Sequence, residues 1–454
     1  MSTTRKFTWQ ELSALNQMHN AHVAVRGKVY DISKFINHHP GGPEILQMAA
    51  GKDITIVFES YHIFSSLAPK MLEKYYVGDL ISSETPTFPE LGAFYKTLRE
   101  RVRKHFAETK KDPKNSPWIW LRHITIPLIV ILMWCAQMFW LSHSFVLSAV
   151  AAAIMGLFCA MLALHHLHDG SHFSVSRNPR VWRILGHICE LFTGISYYVW
   201  MHKHILSHHP YTNIHAFDPD VDINTSSPET DIRRIKWRQK LQSRYYYQHI
   251  YTVPLYFTGI WMLRLEDIGI LFLYKKTSST QVNAPSKSHL VLFVLCKLFC
   301  FLYRMVIPAM ILGFWRMIPL FFISEMVGGA WIITVLEITH IIGEVDWPEP
   351  DKDGKMNRDW AEHQVATTQD FATDSWLLAY FAGTINHQVA HHLFPEINQI
   401  YYPQITPIVR ETCKEFGIKY RCVDTIFDSL GCHIRYLKKM GRTFGGPPDV
   451  IHED

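Results

Sequence analysis

Two apolar runs separated by three residues constrain this chain more than any other feature. Ile124 to Leu141 and Phe145 to Leu164 are 18 and 20 residues without a charge, each long enough to cross a hydrocarbon core of about 30 Å as a helix. Only Ser142-His143-Ser144 lies between them, so they must form a hairpin whose open ends face the same side. A second pair, His289 to Phe314 and Met317 to Ile342, repeats the pattern, with Arg316 in the turn and with Lys297, Arg304, Glu325 and Glu337 inside the runs. Charges in lipid are costly, so each is expected to have a partner or to face a cavity. The run from Tyr245 to Tyr274 carries Arg264, Glu266 and Asp267, which favours a helix lying in the interface over a fifth span.

Composition agrees with a membrane protein that has soluble parts: 48% of residues are hydrophobic and 19% charged. A formal charge of +5 over 454 residues is no electrostatic footprint for DNA or RNA, and no nucleic-acid partner is expected. Of the 45 Lys and Arg, 41 lie in residues 1–117, 165–288 and 343–454, and Arg122 stands just before the first hairpin. The positive-inside tendency then places both termini and the middle loop on the cytosolic side. The N-terminal Met-Ser-Thr-Thr-Arg-Lys lacks an apolar signal core, so insertion is expected to use the internal segments. The eight Cys show no C-x-x-C spacing and are expected to be reduced.

Residues 1–80 read as a small soluble α+β domain, with short runs such as His22-Val23-Ala24-Val25 and Val29-Tyr30-Asp31-Ile32 punctuated by Gly, Pro and charge. Residues 81–117 read as a linker holding an interfacial helix, from prolines 86, 89, 113 and 117 and a basic helical pattern between Phe94 and Lys111. Within the first domain, His38-His39-Pro40-Gly41-Gly42 is followed by His62 in Phe58-Glu59-Ser60-Tyr61-His62. Two histidines from opposed helical hairpins can clamp a haem iron axially and leave no open site for oxygen, which suits electron transfer. Val29-Tyr30-Asp31, Phe35, His39-Pro40-Gly41-Gly42, His62 and Tyr76-Val77-Gly78 resemble the cytochrome b5 family in type and order. The resemblance implies haem b, with His39 and His62 as axial ligands and His38 a neighbour without a role.

The chain has 27 His, and imidazole is the commonest neutral metal ligand. Three clusters stand out. His165-His166-Leu167-His168-Asp169-Gly170-Ser171-His172 puts His168 and His172 four apart on one helix face. His202-Lys203-His204-Ile205-Leu206-Ser207-His208-His209 repeats that spacing, and His209, about 100° further round, can face a second metal. Asn386-His387-Gln388-Val389-Ala390-His391-His392 again ends in adjacent histidines. A single ion is satisfied by four ligands, so eight or more imply two metals. A haem donor in the same chain points to a metal that must be reduced in turnover, which favours iron over zinc. Two irons fed electrons from a haem can activate dioxygen, and a cytosolic-face site on lipid-embedded helices can take an acyl chain.

These clusters carry a second resemblance, over residues 118–440, to the membrane fatty acyl desaturases, in the H-x3-H, H-x3-H-H and Q-x2-H-H forms. Pro210-Tyr211-Thr212-Asn213, Asp218-Pro219-Asp220 and Leu393-Phe394-Pro395 fit as well. Gln388 at the head of the third box, with an N-terminal cytochrome b5, is similar to the front-end desaturases, and the whole chain looks most like the delta-5 enzymes of fungi and protists. The resemblance implies an all-α membrane domain over 118–454, with four transmembrane helices in two hairpins under a cytosolic helical cap. It implies two non-haem irons held by His168, His172, His204, His208, His209, His340, His391 and His392. Gln388, His391 and His392 would form the catalytic end of the site. Asp169, Asp218 and Asp220 are candidates for orienting the ligand rings, while His165, His166, His202 and His387 match no ligand position.

The implied reaction is O2-dependent insertion of a cis double bond into a polyunsaturated acyl chain carried on coenzyme A or a phospholipid, with electrons from NADH-cytochrome b5 reductase. The apolar faces of spans two and four are candidate determinants of where along the chain it acts. The implied place is the endoplasmic reticulum membrane, with the boxes cytosolic; Ile451-His452-Glu453-Asp454 is no readable retention signal. Alternatives on the same scaffold are delta-4, delta-6 or delta-8 desaturation and sphingolipid long-chain-base desaturation or hydroxylation. A non-enzymatic haem protein leaves 118–454 unexplained, and a metal transporter would place its ligands midway through the spans.

Overall fold

Alternation along the first strands accounts for the N-terminal domain. In the computed structural model, which describes residues 5–222 and 231–443, the strand Asn20–Val25 sends Ala21, Val23 and Val25 into a core with Tyr30, Ile32, Ile36 and Ile54. Ala24 on the opposite face packs with Phe7, Leu12 and Val29. Both faces are covered, which is why the run reads as continuously apolar. The sheet order is Arg5–Phe7, Tyr76–Leu80, Lys28–Asp31, Asn20–Val25, Asn16–Gln17, with Lys52–Asp53 also pairing Asn20–Val25. Val23 stands opposite Tyr30 in an antiparallel pair, and Arg5–Phe7 runs parallel to Tyr76–Leu80. The helices Pro43–Ala49 and Thr55–Tyr61 lie between these strands in sequence.

Among the described residues, four helices are long and apolar enough to cross a membrane: Pro117–Trp140, Phe145–Ser171, Lys287–Leu312 and Phe314–Glu337. Ser144 caps the second, its hydroxyl accepting from the Leu147 amide. The second hairpin turns at Gly313, whose φ of +82° is open to glycine. Arg316 therefore lies in the first turn of the fourth span and not, as expected, between the spans. Spans two and four form the centre. A Cβ built on Gly156 would sit 2.1 Å from the Ser324 carbonyl oxygen, and one on Gly328 would sit 2.7 Å from the Gly156 carbonyl oxygen. Small residues here let two backbones touch, so no acyl chain runs between these spans at that level. This narrows the expectation that their apolar faces measure the substrate.

Lys297, Arg304, Glu325 and Glu337, the four charges inside the second pair of runs, each have a partner. Glu325 takes Arg264 at 2.6 Å and Arg304 at 2.5 Å, Lys297 meets Asp267 at 2.7 Å, and Glu337 meets Arg233 at 2.6 Å. Arg264 and Asp267 come from the helix Gly259–Ile268, part of a broken segment with Gln248–Leu255 and Gly269–Tyr274. The expectation of no fifth span agrees with this break. All eight Cys are free thiols.

The helix Ala93–Thr109 differs from expectation. Its stripe of Phe94, Tyr95, Leu98, Val102 and Phe106 is buried against Trp360, Val365, Tyr402, Ile405 and Val409 of the C-terminal helices. It is part of the cap's core rather than an interfacial helix, because Trp360–Thr367 and Tyr402–Glu415 supply the apolar cover. The C-terminal tetrapeptide lies outside the described residues.

Candidate metal centre

His39 follows a short 3-10 turn at Ile36–His38, and His62 ends the helix Thr55–Tyr61. Two axial imidazoles on one iron, with bonds of about 2.0 Å and ring centres about 1.1 Å behind each nitrogen, stand about 6.2 Å apart. The rings of His39 and His62 are 6.4 Å apart. A Cβ at Gly41 would sit 2.7 Å from His39 Cε1, so glycine at 41 keeps space for that imidazole. The Phe58 carbonyl accepts from His62 Nδ1 at 2.8 Å, which leaves Nε2 free to bind. Burial lowers both pKa values, that of His39 to about 4, so both rings are neutral and ready to ligate. His38 is exposed. The residues fit a haem.

The three boxes and the end of the fourth span converge in one buried chamber. The second span widens into a π-helical turn at Leu162–Leu167 before His168, and the second box lies on another, Met201–His208. Hydrogen bonding from i to i+5 makes such a turn wider than an α-helical one. It brings His204 and His209, five apart, to one face, with their Nε2 atoms 3.2 Å from each other. Gln388, His391 and His392 share a face of the short helix Gln388–Leu393. None of these residues, nor His340, exceeds 4% exposure.

Two groups result. His168, His172, His204 and His391 form one, and His208, His340 and His392 the other; His209 stands between, within reach of His391 and His392. His168 and His391 bring their Nε2 atoms to 3.2 Å. Two ligands on one ion with bonds of about 2.1 Å lie about 3.0 to 3.4 Å apart. The amide of Gln388 points at His340 Nε2, 2.8 Å away, and at His392 Nε2, 3.2 Å away. Turning that amide over would aim its oxygen, otherwise unpartnered in its burial, at the same place.

The far side of most of these rings is held, His168 and His209 being the exceptions. His204 Nδ1 donates to Asp220 at 2.7 Å and His208 Nδ1 to Asp218 at 2.9 Å. His392 Nδ1 donates to Gln364 Oε1 at 2.7 Å, His340 Nδ1 to the Thr367 carbonyl at 3.2 Å, and His391 Nδ1 lies 3.2 Å from the Tyr402 hydroxyl. Such bonds fix the tautomer that leaves Nε2 for a metal. Burial and neighbouring imidazoles hold His204, His209, His391 and His392 well below the usual pKa range. For His208 burial works the same way, but the Asp218 carboxylate overrides it and raises the pKa. A chamber of mostly neutral nitrogens suits two ions.

Asp218 and Asp220 thus stand where they were expected, whereas Asp169 does not. Its carboxylate lies 3.2 Å from His123 Nε2 and 3.0 Å from Asn398 Nδ2, joining the first span to the cap. His165, His166, His202 and His387 bond to Tyr380, His123, Tyr198 and Thr406 outside both groups. Gln364, Tyr402 and Thr367 were not singled out from sequence, nor was Tyr61, whose hydroxyl lies 2.7 Å from His172 Nδ1. They lie 11 to 111 residues along the chain from the rings they hold, and no local spacing marks them.

Comparison with known proteins agrees with this geometry. Residues 144–424 match the family described as Fatty acid desaturase, and residues 8–81 match the Cytochrome b5-like Heme/Steroid binding domain. The chain is 42% identical over 439 residues to an acyl-lipid (8-3)-desaturase of Mortierella alpina, covering 96% of this chain and 97% of that one. It is 37% identical over 456 residues to Delta(5) fatty acid desaturase A of Dictyostelium discoideum, covering 99% and 96%. An sn-1 linoleoyl-lipid 6-desaturase of Synechocystis is 28% identical over 80% of this chain and 99% of its own. With two facing histidines in one domain and a two-group histidine chamber over four spans in the other, the chain belongs to the fatty acid desaturase family, fused to a haem-binding cytochrome b5-like domain.

Proposed function

We propose that this enzyme is a front-end desaturase that introduces a cis double bond at carbon 5 of C20 polyunsaturated acyl chains, taking dihomo-γ-linolenate to arachidonate and eicosatetraenoate to eicosapentaenoate. The observation that carries the reading is the full-length likeness, at 37 to 42% identity, to a (8-3)- and a Delta(5)-desaturase. The two-group chamber supports it chemically.

His168, His172, His204 and His391 would hold one iron, and His208, His340 and His392 with Gln388 the other, His209 completing either shell. Bound there, iron supplies the oxidant for unactivated C–H bonds, and the protein positions the chain. Two hydrogens from adjacent carbons, two electrons delivered through the haem domain and two protons convert one O2 to two waters. Asp218, Asp220, Gln364 and Tyr402 keep the ligand rings turned inward, and burial of the chamber keeps bulk water away. No side chain is required as acid, base or nucleophile. NADH-cytochrome b5 reductase would reduce the haem domain. The excess of Lys and Arg outside the hairpins supports a cytosolic chamber, and the resemblance suggests the endoplasmic reticulum membrane.

The test is fatty acid profiling of a host without polyunsaturates, expressing the chain and fed C18 and C20 acids in turn. A new bond at carbon 5 is expected. A bond at carbon 4, 6 or 8 would overturn the position, and no new acid with haem and iron both loaded would overturn the substrate class.

A further inference from the structure

Tyr61 joins the two centres. It precedes His62 directly, yet its side chain leaves the haem-binding domain: its hydroxyl lies 2.7 Å from His172 Nδ1, the two rings are within 10° of parallel, and its ring meets Phe173 edge-on. His172 Nε2, on the far side of that ring, is buried without a protein partner and points into the group with His168, His204 and His391. With Nε2 given to a metal, Nδ1 carries the proton and donates it to Tyr61. The other Nδ1 contacts in the chamber come from Asp220, Asp218, Gln364, Thr212, Thr367 and Tyr402, all in the membrane domain and cap.

The segment is clamped independently of this bond. Arg99 and Arg103 both donate to the Ile63 carbonyl at 3.1 Å. Glu44 pairs with Arg183 at 2.6 Å. The buried Lys52 ammonium reaches Met48, Ala50 and Asn283, an acceptor for each of its three protons. Asn283 in turn donates to the Gln47, Met48 and Ala50 carbonyls. The domain is docked by many contacts, so the Tyr61 hydroxyl is not needed to hold it there.

We propose that Tyr61 is the link by which electrons pass from the haem-binding domain to the metal centre, an inference that rests on the desaturase reading above. In each transfer the haem is oxidised by one electron, from the ferrous to the ferric state, and the centre held by His172 is reduced by one. The path is His62, the 61–62 peptide, the Tyr61 ring and its hydrogen bond to His172. No covalent bond breaks, and the shared proton stays between Tyr61 and His172. Tyr61 is thus a positioning residue that also conducts.

The test is an oxygen-free stopped-flow measurement on full-length protein loaded with haem and iron, following oxidation of the pre-reduced haem by its visible absorbance. Tyr61→Phe should slow that oxidation about 10-fold or more, because it removes the hydrogen bond through which the path reaches His172, with haem spectrum, haem potential and iron content unchanged. Tyr402→Phe removes the equivalent hydroxyl from His391 of the same group, and should slow it at least about ten-fold less. Equal slowing in both variants would reduce Tyr61 to a ligand-orienting role and overturn the proposal, as would a wild-type rate in Tyr61→Phe. Because no acyl substrate is present, the rate is read separately from fatty acid profiling, so failure of the desaturase reading and failure of the link are distinguishable.

Discussion

Replacing Gly156 by alanine adds one methyl group where spans two and four touch. That Cβ would lie 2.1 Å from the Ser324 carbonyl oxygen, 2.8 Å from its carbon and 2.9 Å from its Cα. All three are backbone atoms, so no side chain can rotate away. The closest ordinary carbon–oxygen contacts are about 3.3 Å, so the spans must part by about 1.2 Å. Overpacking of this kind costs about 1 to 3 kcal/mol. The larger effect is at the chamber. His168 lies twelve residues along the same span, about 18 Å away, and His340 follows the end of span four. A misplacement of about 1 Å between groups of one site can cost about 100-fold in rate. Gly156→Ala should therefore fold, bind haem normally, melt at lower temperature in detergent, and give about 100-fold less product in the feeding assay, with iron loading reduced. Wild-type product and iron content in Gly156→Ala would refute the reasoning, since they would mean that the span contact does not set ligand spacing.

Other outcomes follow from single contacts. His39→Ala should abolish haem absorbance and keep iron, whereas His391→Ala should keep haem and abolish product; loss of haem in the second would break the division into two modules. Asp218→Ala should weaken iron binding about 10- to 100-fold, measured by metal content after dialysis, because the acceptor of the bond from His208 is lost. Glu325→Ala strands Arg264 and Arg304 within the membrane domain, at a cost of about 3 to 5 kcal/mol; size-exclusion chromatography should show loss of the monodisperse species, and an unchanged elution profile with unchanged thermal stability would contradict the pairing.

The spans and the clustered histidines are legible because each depends on spacing within one short segment. An uninterrupted run of 20 apolar residues means the same thing wherever it occurs, and i, i+4 histidines share a face before any tertiary contact forms. What was not legible depends on partners distant in sequence. The stripe of Phe94, Leu98, Val102 and Phe106 suits a lipid surface as well as a protein core, and only Trp360 and Tyr402, more than 250 residues beyond, decide between them. Asp169 sits beside His168 in sequence yet serves His123 and Asn398, because a helix points adjacent residues about 100° apart. Tyr61 carries no motif at all; only docking of the haem-binding domain reveals its contact with His172. The Gly313 turn was misplaced by three residues because Arg316 looked like a loop charge, when a helix end at the membrane surface accommodates it equally well.

The ion pairs of the second hairpin also bear on how the protein is made. Arg264 and Asp267, which neutralise Glu325 and Lys297, precede both spans in the chain, so a ribosome completes them first. A nascent third or fourth span leaving the translocon would find its countercharge already waiting at the bilayer, while Arg304 and Glu325 travel within the same hairpin. The broken segment around Gly259–Ile268 would then act in biosynthesis as a built-in insertion partner. Moving that segment behind the hairpin by circular permutation should leave Lys297 unpartnered during integration, and would shift the chain toward retention and degradation before any histidine meets a metal.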